Sequence, residues 1–374
     1  MKHERRLGSF LNDTFALVPK IWKSALPVSL AAILPGAALL AFSMKSLSSL
    51  IPFFESQAGG GIEKLSGSAA LILARFLPII VHLLFSMLLL FAGGVFQKSY
   101  IIAASGVALD GGKPRFGRTA KICLPACWRI AIQDLAVSFV SQILATTAAC
   151  AIMIPYVAAN IGQFKAEGGS GPVPGFIVTF IGIYLLAILA TAFIAWWLKV
   201  KTAVAAPASV LEGRNSMAGI GASLDRVRGQ SWRVFGIMFI VDLIIGFAVS
   251  ILSGPFTFAT ILPGYIDILK QNEGSAKQMA GHLARMFASL GSTLALSAII
   301  EGVIKGGLWP IFLTLLHDDL SSRSASRAEA AKLYAIAGIR VNEKRPAGAA
   351  APVARALSLR APSFYDDEDS GDAE

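Results

Sequence analysis

Six apolar runs alternate with polar segments along this chain, and each run is close to the length that a helix needs to cross a bilayer. About 20 mostly apolar residues suffice, because each helical residue rises about 1.5 Å through about 30 Å of hydrocarbon. The pattern predicts an all-α integral membrane protein with six transmembrane helices. The runs cover residues 24–42, 76–95, 130–158, 173–197, 234–261 and 292–316.

The lysines and arginines between these runs predict how the chain crosses the membrane. The segments before the first, third and fifth runs hold 17 of them, and the three opposite connections hold 7. Because positively charged connections stay on the cytoplasmic side, both termini are predicted to be cytoplasmic. The first run follows basic residues, as in a signal peptide, but no A-x-A cleavage signal comes after it, so we expect it to remain as the first span.

A shared pattern precedes the first, third and fifth runs. In each case an apolar residue is followed nine positions later by a helix breaker, and then by a tryptophan and a base at positions twelve and thirteen. The last two residues are expected to anchor the chain at the headgroups, since indole rings favour the interface and long basic side chains reach phosphate. The predicted interfacial anchors are Trp22, Lys23, Trp128, Arg129, Trp232 and Arg233.

The spacing of these segments predicts an internal repeat. The three tryptophans are separated by 106 and 104 residues, and residues 103–111 resemble residues 205–213. We infer three parallel units, each made of a cytoplasmic amphipathic helix and a two-helix hairpin. The units cover about residues 7–110, 111–215 and 216–320.

The amphipathic helix is clearest in the first unit. Apolar residues recur there at three- and four-residue steps, as on a helix that lies in the interface. We expect Pro19, Pro125 and Gly229 to end the three amphipathic helices, so that the chain can turn into the bilayer. The apolar stripe consists of Leu7, Phe10, Leu11, Phe15, Val18 and Trp22.

The composition agrees with a membrane location and narrows the range of partners. Of the 374 residues, 55% are hydrophobic and only 15% are charged, whereas a soluble domain carries about 25% charged residues. The net charge of +10 lies within the first 320 residues, because eight basic and eight acidic residues cancel in the tail. We therefore expect anionic headgroups as partners and no nucleic acid, since the bases form no known reader motif.

The tail, residues 321–374, is predicted to be cytoplasmic and largely disordered. Residues 327–339 are compatible with a helix, whereas residues 347–374 are rich in alanine and proline and end in an acidic run. Such a segment cannot bury enough apolar surface to order itself. Two interpretations stay open, a solvated terminus or a segment that binds back to the basic connections.

Two segments resemble a known family. The first comprises Val210-Leu211-Glu212-Gly213, Ala222-Ser223-Leu224-Asp225-Arg226-Val227-Arg228-Gly229 and Trp232-Arg233-Val234-Phe235-Gly236. The second, residues 317–323, is similar to a closing Tyr-x-Asp-Leu-Arg-x-Arg segment, with His317 and Ser321 in place of Tyr and the first Arg. Both resemble uncharacterised six-helix bacterial membrane proteins similar to the membrane domain of glycerophosphodiester phosphodiesterases. The resemblance implies a six-helix fold in a bacterial cytoplasmic membrane and no established activity, since the phosphodiesterase chemistry belongs to a separate barrel domain.

Four ionisable residues fall within the apolar runs. Ionisable groups in a membrane are functional candidates, because burying them is costly. Glu301 and Lys305 are four residues apart and share one helix face, in the favourable order of acid before base. With Asp242 and His82 they define a candidate intramembrane polar site, which could be a polar pathway, a lipid-headgroup pocket or an internal ion pair that holds helices together.

No other pattern predicts chemistry, and two classes of function remain. Cys123 and Cys127 could share a helix face, but no His or further Cys completes a metal set. We expect no catalytic residues and no cofactor. The first class is a non-enzymatic scaffold or assembly factor that acts on lipids or membrane proteins, with other membrane proteins or a second copy as partners. The second is a transporter of a small solute or lipid along the axis between the three hairpins.

Overall fold

The computed structural model describes residues 7–48, 62–166, 174–270 and 276–336. These residues form long α-helices and some of the short connections between them. We number the helices in chain order. They are α1 (Leu7–Ser48), α2 (Ile62–Leu109), α3 (Phe116–Ala166), α4 (Pro174–Lys201), α5 (Ala205–Leu211), α6 (Ser216–Val227), α7 (Ser231–Lys270) and α8 (Ala276–Ile336).

The described residues contain no strand and six helical stretches that are long and apolar enough to cross a membrane. This confirms the all-α class and the number of spans that the hydropathy pattern predicts. The stretches are longer than the predicted runs, because helical structure continues past the apolar residues. They are Leu7–Ser46, Phe76–Leu109, Phe116–Tyr156, Ile181–Leu211, Ser231–Thr260 and Ser289–Ser324.

Two of the three predicted helix breaks are wrong. Helices α1 and α3 continue through Pro19 and Pro125, and α1 also contains Pro27 and Pro35. Proline removes one backbone hydrogen bond, but a long helix retains its other hydrogen bonds and neighbouring groups compensate for the loss. In the first two predicted units, the residues before the span therefore belong to the same helix as the span.

The third predicted break, at Gly229, is confirmed. Helix α6 ends at Val227, Gly229 has a φ of 82°, and α7 begins at Ser231. A Cβ atom disfavours this left-handed conformation, so glycine can end a helix here by turning the backbone. Before α7 the chain therefore forms the separate helices α5 and α6, whereas the residues before the third predicted run belong to α3 itself.

The described residues cluster into two compact units. The first, which we call the N-terminal unit, is drawn from residues 3–127 and 239–316. The second, the central unit, is drawn from the described residues of 128–238 and 317–336. The three predicted repeat units are a different division of the chain, and they stay a prediction.

In the N-terminal unit, α1 buries a face that differs from the predicted apolar stripe. Of that stripe only Phe10 is fully buried, and Phe15 is 54% exposed. The ring of Phe10 packs edge-on against Phe312 of α8, with ring centres 6.0 Å apart. The buried positions recur at steps that keep one face of α1 against its neighbours. As far as Val28 they are Phe10, Thr14, Leu17, Ile21, Ala25 and Val28.

Small residues and one amide hold α1, α2 and α8 together in this unit. A Cβ atom at Gly302 would collide with Ile33, so the glycine permits the close approach of α8 to α1. The amide nitrogen of Gln97 donates to the hydroxyl of Ser29 at 2.9 Å and to the carbonyl of Gly302 at 2.8 Å. A single side chain of α2 therefore bonds to both neighbouring helices.

In the central unit, α5 and α6 pack against longer helices. The amide nitrogen of Gln133 in α3 donates to the hydroxyl of Ser209 at 2.7 Å and to the carbonyl of Ser216 at 2.8 Å. The hydroxyl of Ser223 in α6 donates to the carbonyl of Lys201 at 2.9 Å. These contacts fix the short helices that carry the charged groups described next.

The structure describes little of the predicted tail. Helix α8 continues to Ile336, which agrees with the helical pattern of residues 327–339 as far as residue 336. The acidic end lies outside the described residues. Its two interpretations therefore stay predictions.

Candidate functional site

Three distant segments of the central unit bring charged side chains together in a buried cluster. A carboxylate oxygen of Glu212 accepts from the guanidinium of Arg226, and the nitrogen Nε2 of His317 lies 2.9 Å from the same oxygen. Nε2 also lies 2.8 Å from Nη1 of Arg226. The second carboxylate oxygen of Glu212 accepts from Nε of Arg214 at 2.6 Å. We call these four residues the Glu212 cluster.

Three members of the Glu212 cluster are shielded from the surroundings, whereas Arg214 is 34% exposed. The side chains of Glu212, Arg226 and His317 are 9%, 6% and 2% exposed. Burial by itself raises the pKa of Glu212, but the contact with His317 and the charge and hydrogen bond of Arg226 outweigh it, so the pKa falls to about 2. The carboxylate is therefore ionised at neutral pH, where the guanidinium groups of Arg214 and Arg226 compensate its buried charge.

Backbone geometry presents Glu212 to its partners. The residue follows the last turn of α5, and Gly213 after it has a left-handed φ of 67°. The guanidinium of Arg129 donates to the carbonyl of Gly213 at 2.7 Å. Gly111 has a similar φ of 85° at the matching position of the preceding connection, where Asp110 takes the place of Glu212. The two segments that look alike in sequence therefore end in the same turn conformation.

A second ion-paired group lies at the start of α7 and the C-terminal part of α8. One oxygen of Asp319 accepts from Nη1 of Arg233 at 3.1 Å and from Nε of Arg323 at 2.9 Å. The side chain of Asp319 is 3% exposed, against 30% for Arg233 and 16% for Arg323. A buried carboxylate therefore holds two partly exposed guanidinium groups close together. We call Arg233 and Arg323 the arginine pair.

The structure brings three of the four predicted intramembrane residues together. The ammonium of Lys305 lies 3.4 Å from Oδ1 of Asp242 and 3.8 Å from Oε1 of Glu301. The exposed fractions of these side chains are 33%, 25% and 59%, so the Lys305 trio is much more open than the Glu212 cluster. Oδ1 of Asp242 is occluded and has no hydrogen bond of good geometry among the described residues, which leaves the ionic contact with Lys305 as its compensation.

His82, the fourth predicted residue, is placed elsewhere. Its nitrogen Nδ1 lies 2.5 Å from the carbonyl oxygen of Pro78, one turn earlier in α2. Its ring packs edge-on against Phe42 of α1, with ring centres 5.7 Å apart. The side chain is exposed, and these contacts are those of a local helix packing residue.

The predicted anchors divide by their surroundings. Trp128 and Trp232 are 73% and 69% exposed, as expected of side chains that face lipid, while Trp22 is half-buried beside Gly307. Lys23 is exposed. Arg129 and Arg233 make protein contacts, to the carbonyl of Gly213 and to Asp319 respectively. Contact of these residues with headgroups stays a prediction.

No protein-family model, curated protein or solved structure matches this chain. The resemblance to six-helix bacterial membrane proteins therefore stays a prediction. Its two segments nevertheless supply the residues that the structure joins. Glu212 and Arg226 come from the first segment, and His317, Asp319 and Arg323 come from the second.

Sequence reasoning named these residues only through the resemblance and assigned them no contacts. Glu212 and His317 are 105 residues apart, so no local spacing could pair them. A signal was present in the placement of His317, which directly follows the sixth apolar run, and Glu212 follows the mostly apolar segment 203–211. Such residues must find counter-charges or water at the ends of spans.

Proposed function

We propose that this chain is a non-enzymatic integral membrane protein of the bacterial cytoplasmic membrane, acting as a scaffold or assembly factor on lipids or other membrane proteins. It would have three parallel two-helix units and cytoplasmic termini. Six apolar helical stretches among the described residues support the membrane location. The bacterial membrane and the family relationship follow from the resemblance alone.

The scaffold proposal rests on one observation, the exposure of the Lys305 trio at Glu301. Glu301 is 59% exposed on a helical stretch apolar enough to lie in the membrane. A carboxylate that faces hydrocarbon costs about 2.5–3.5 kcal/mol, so such groups normally face protein or water. A helix of another membrane protein, or of a second copy, that supplies a donor to Glu301 would remove this cost. The trio is then a polar contact for a partner within the membrane.

The same residues favour a transporter as the second candidate. If water reaches Glu301 and Lys305, the trio would line a polar pathway for a small solute or a lipid headgroup. Asp242 would then be the least accessible member, since its Oδ1 is occluded. This alternative places water where the scaffold proposal places a partner.

The comparison of membrane complexes from cells with and without the chain tests the scaffold proposal. We expect a defined set of complexes to shift to lower mass without it, and wild-type protein to restore them. A chain with Glu301→Leu and Lys305→Met should fold but fail to restore them, because the polar contact is gone. The matched control, Asp225→Asn with Arg228→Met, also removes one acid and one base, but from the exposed side of α6 and its end. It should restore the complexes.

The alternative predicts a different pattern. All complexes would keep their mass without the chain, while movement of a solute or lipid would depend on it and would stop in the Glu301→Leu, Lys305→Met variant. That result would contradict the scaffold proposal.

The proposed orientation has a direct test of its own. Labelling of single cysteines in intact cells should modify sites near residues 60, 165 and 272 from outside and leave both termini protected. An external C-terminus would rule out the six-span arrangement.

A further inference from the structure

An open cavity of about 520 Å³ lies where α4 ends and α7 begins. Three structural elements supply its walls, and all belong to the central unit. The lining comprises two aromatic and two cationic side chains, two polar side chains and the turn that contains Gly229. The lining residues are Trp197, Gly229, Gln230, Ser231, Trp232, Arg233 and Arg323.

The cationic wall of this cavity is the arginine pair. Asp319 receives hydrogen bonds from both guanidinium groups through one oxygen, which fixes their separation. Both arginines line the cavity, and the described residues that line it include no acid. Guanidinium groups suit phosphate oxygens, because their planar N–H donors match the geometry of the anion. The wall therefore has the charge and donors of a phosphate-binding surface.

A third base stands beside the same cavity. The ammonium of Lys201 donates to the hydroxyl of Ser231 at 2.6 Å and lies 5.1 Å from the ring centre of Trp197. Ser231 is also the first residue of α7, and the first turn of a helix favours anions through its backbone N–H groups. Side-chain and backbone groups thus favour an anion at the same place.

The aromatic part of the lining continues along α4 and α7. The ring centres of Trp197 and Trp232 are 5.1 Å apart, and Phe235 lies 5.7 Å from Trp232 and 6.2 Å from Trp197. Phe193, 6.1 Å from Trp197, extends the aromatic surface further along α4. The apolar runs predicted from sequence end at residue 197 and begin at residue 234, so the cavity lies at the edge of the apolar part of both helices.

We propose that this cavity binds the phosphate headgroup of an anionic phospholipid, with the arginine pair on the phosphate and the aromatic wall against the glycerol and upper acyl chains. The aromatic wall favours a lipid over a soluble phosphate ester, since rings at the edge of an apolar span suit the interface. The volume is within the range of ligand pockets. The assignment deepens the scaffold proposal and rests on its membrane location.

Binding of short-chain lipids to the purified full-length chain tests the assignment. The probe is dioctanoyl phosphatidylglycerol, with dioctanoylglycerol, glycerol phosphate and inorganic phosphate as comparisons. We expect native mass spectrometry to show a bound phosphatidylglycerol and the unfolding temperature to rise with its concentration. The three comparison ligands should bind at least about tenfold more weakly, because each lacks either the phosphate or the chains.

Matched variants locate the site. Arg323→Gln should weaken binding by about tenfold, through the loss of charge-assisted hydrogen bonds, whereas Arg118→Gln, at an exposed arginine of α3, should leave it unchanged. Trp232→Ala should weaken binding, whereas Trp128→Ala, at the equivalent tryptophan of the preceding repeat, should not. If Arg323→Gln unfolds more easily without lipid, Arg323→Lys keeps the charge beside Asp319, and binding should still weaken because the planar fork is absent.

Equal binding by wild type and the cavity variants would overturn the site. Equal binding of dioctanoylglycerol would overturn recognition of the phosphate, and equal binding of glycerol phosphate or inorganic phosphate would overturn the lipid assignment. The scaffold proposal fails separately. If the chain binds lipid at this cavity but the membrane complexes are the same with and without the chain, only the scaffold proposal is contradicted. If the complexes depend on the chain but the chain binds no lipid, only the cavity assignment is contradicted.

Discussion

The Glu212 cluster and the Lys305 trio each place ionised groups of both signs within a few ångströms, but their surroundings differ. In the Glu212 cluster a carboxylate is 9% exposed and contacts Arg214, Arg226 and His317. In the Lys305 trio one ammonium serves two carboxylates, and the side chains are 25% to 59% exposed. The first group contains more base than acid around a buried anion, and the second more acid than base around a half-open cation.

This difference separates a structural role from an interactive one. Glu212, Arg226 and His317 are buried against one another and offer no room for a ligand, although Arg214 reaches the surface, and removing a buried charged member leaves an uncompensated charge. A half-open group can contact another molecule through its exposed side chains. Removing one of its members lowers the free energy of unfolding by less. We therefore assign the Glu212 cluster to holding α5, α6 and α8 together, whereas contact of the Lys305 trio with a partner is the role proposed above.

The largest effect is expected from Glu212→Gln. It leaves Arg226 and His317 buried without the carboxylate, and we expect the free energy of unfolding in detergent to fall by about 3–5 kcal/mol. Asp110→Asn is the control, because Asp110 holds the equivalent position after α2 but is exposed. It should change stability by less than about 0.5 kcal/mol. Similar losses of unfolding free energy for both variants would show that burial of the charge does not decide its contribution to stability.

A pH titration sharpens the same comparison. The pKa of Glu212 is about 2 in the folded chain against an ordinary value of 4.5, so the unfolded chain takes up the proton first as the pH falls. The stabilisation is fully present above about pH 4.5 and is lost as the pH falls towards 2, amounting to about 3 kcal/mol. Unfolding measured from pH 6 to pH 2 should show this loss in wild type beyond that of Glu212→Gln. Parallel curves for the two proteins would contradict it.

Substitutions in the Lys305 trio should lower stability by less than Glu212→Gln does, and by different amounts at each residue. Lys305→Met leaves two carboxylates without their shared cation, one of them with an occluded oxygen, and we expect a loss of about 1–2 kcal/mol in detergent. Glu301→Gln should cost less than about 0.5 kcal/mol, because this exposed partner is four residues away on the same helix. Thermal unfolding of both variants measures the order. A greater loss for Glu301→Gln would indicate that Glu301 is the buried member.

The smallest effect compares two glycines with the same turn conformation. Gly213→Ala and Gly111→Ala each place a Cβ at a positive φ and should cost about 1 kcal/mol. Only Gly213 adjoins the Glu212 cluster, so only its variant should also change the loss of stability between pH 4.5 and 2. The same acid titration measures both. A change in that titration for Gly111→Ala would show that the effect does not depend on the cluster.

The candidate sites were only partly accessible to prediction. The four-residue spacing of Glu301 and Lys305 places them on one face of any helix, and the structure has them 3.8 Å apart. Asp242 joins them from α7 through tertiary packing, and His82 was grouped with them only because it also falls in an apolar run. Membership of an apolar run gives depth along a helix but not the direction in which the side chain points.

The amino-acid sequence by itself determined the number of apolar helical stretches and the turn at Gly229. Both depend on local properties, namely the length of an apolar run and the freedom of glycine at positive φ. Only the tertiary structure decided that α1 and α3 continue through Pro19 and Pro125, and that Glu212 meets His317 across 105 residues. Whether a helix tolerates a proline, and which charge compensates another, depends on neighbours brought close by packing. These neighbours come from distant parts of the chain, so no local sequence pattern reveals them.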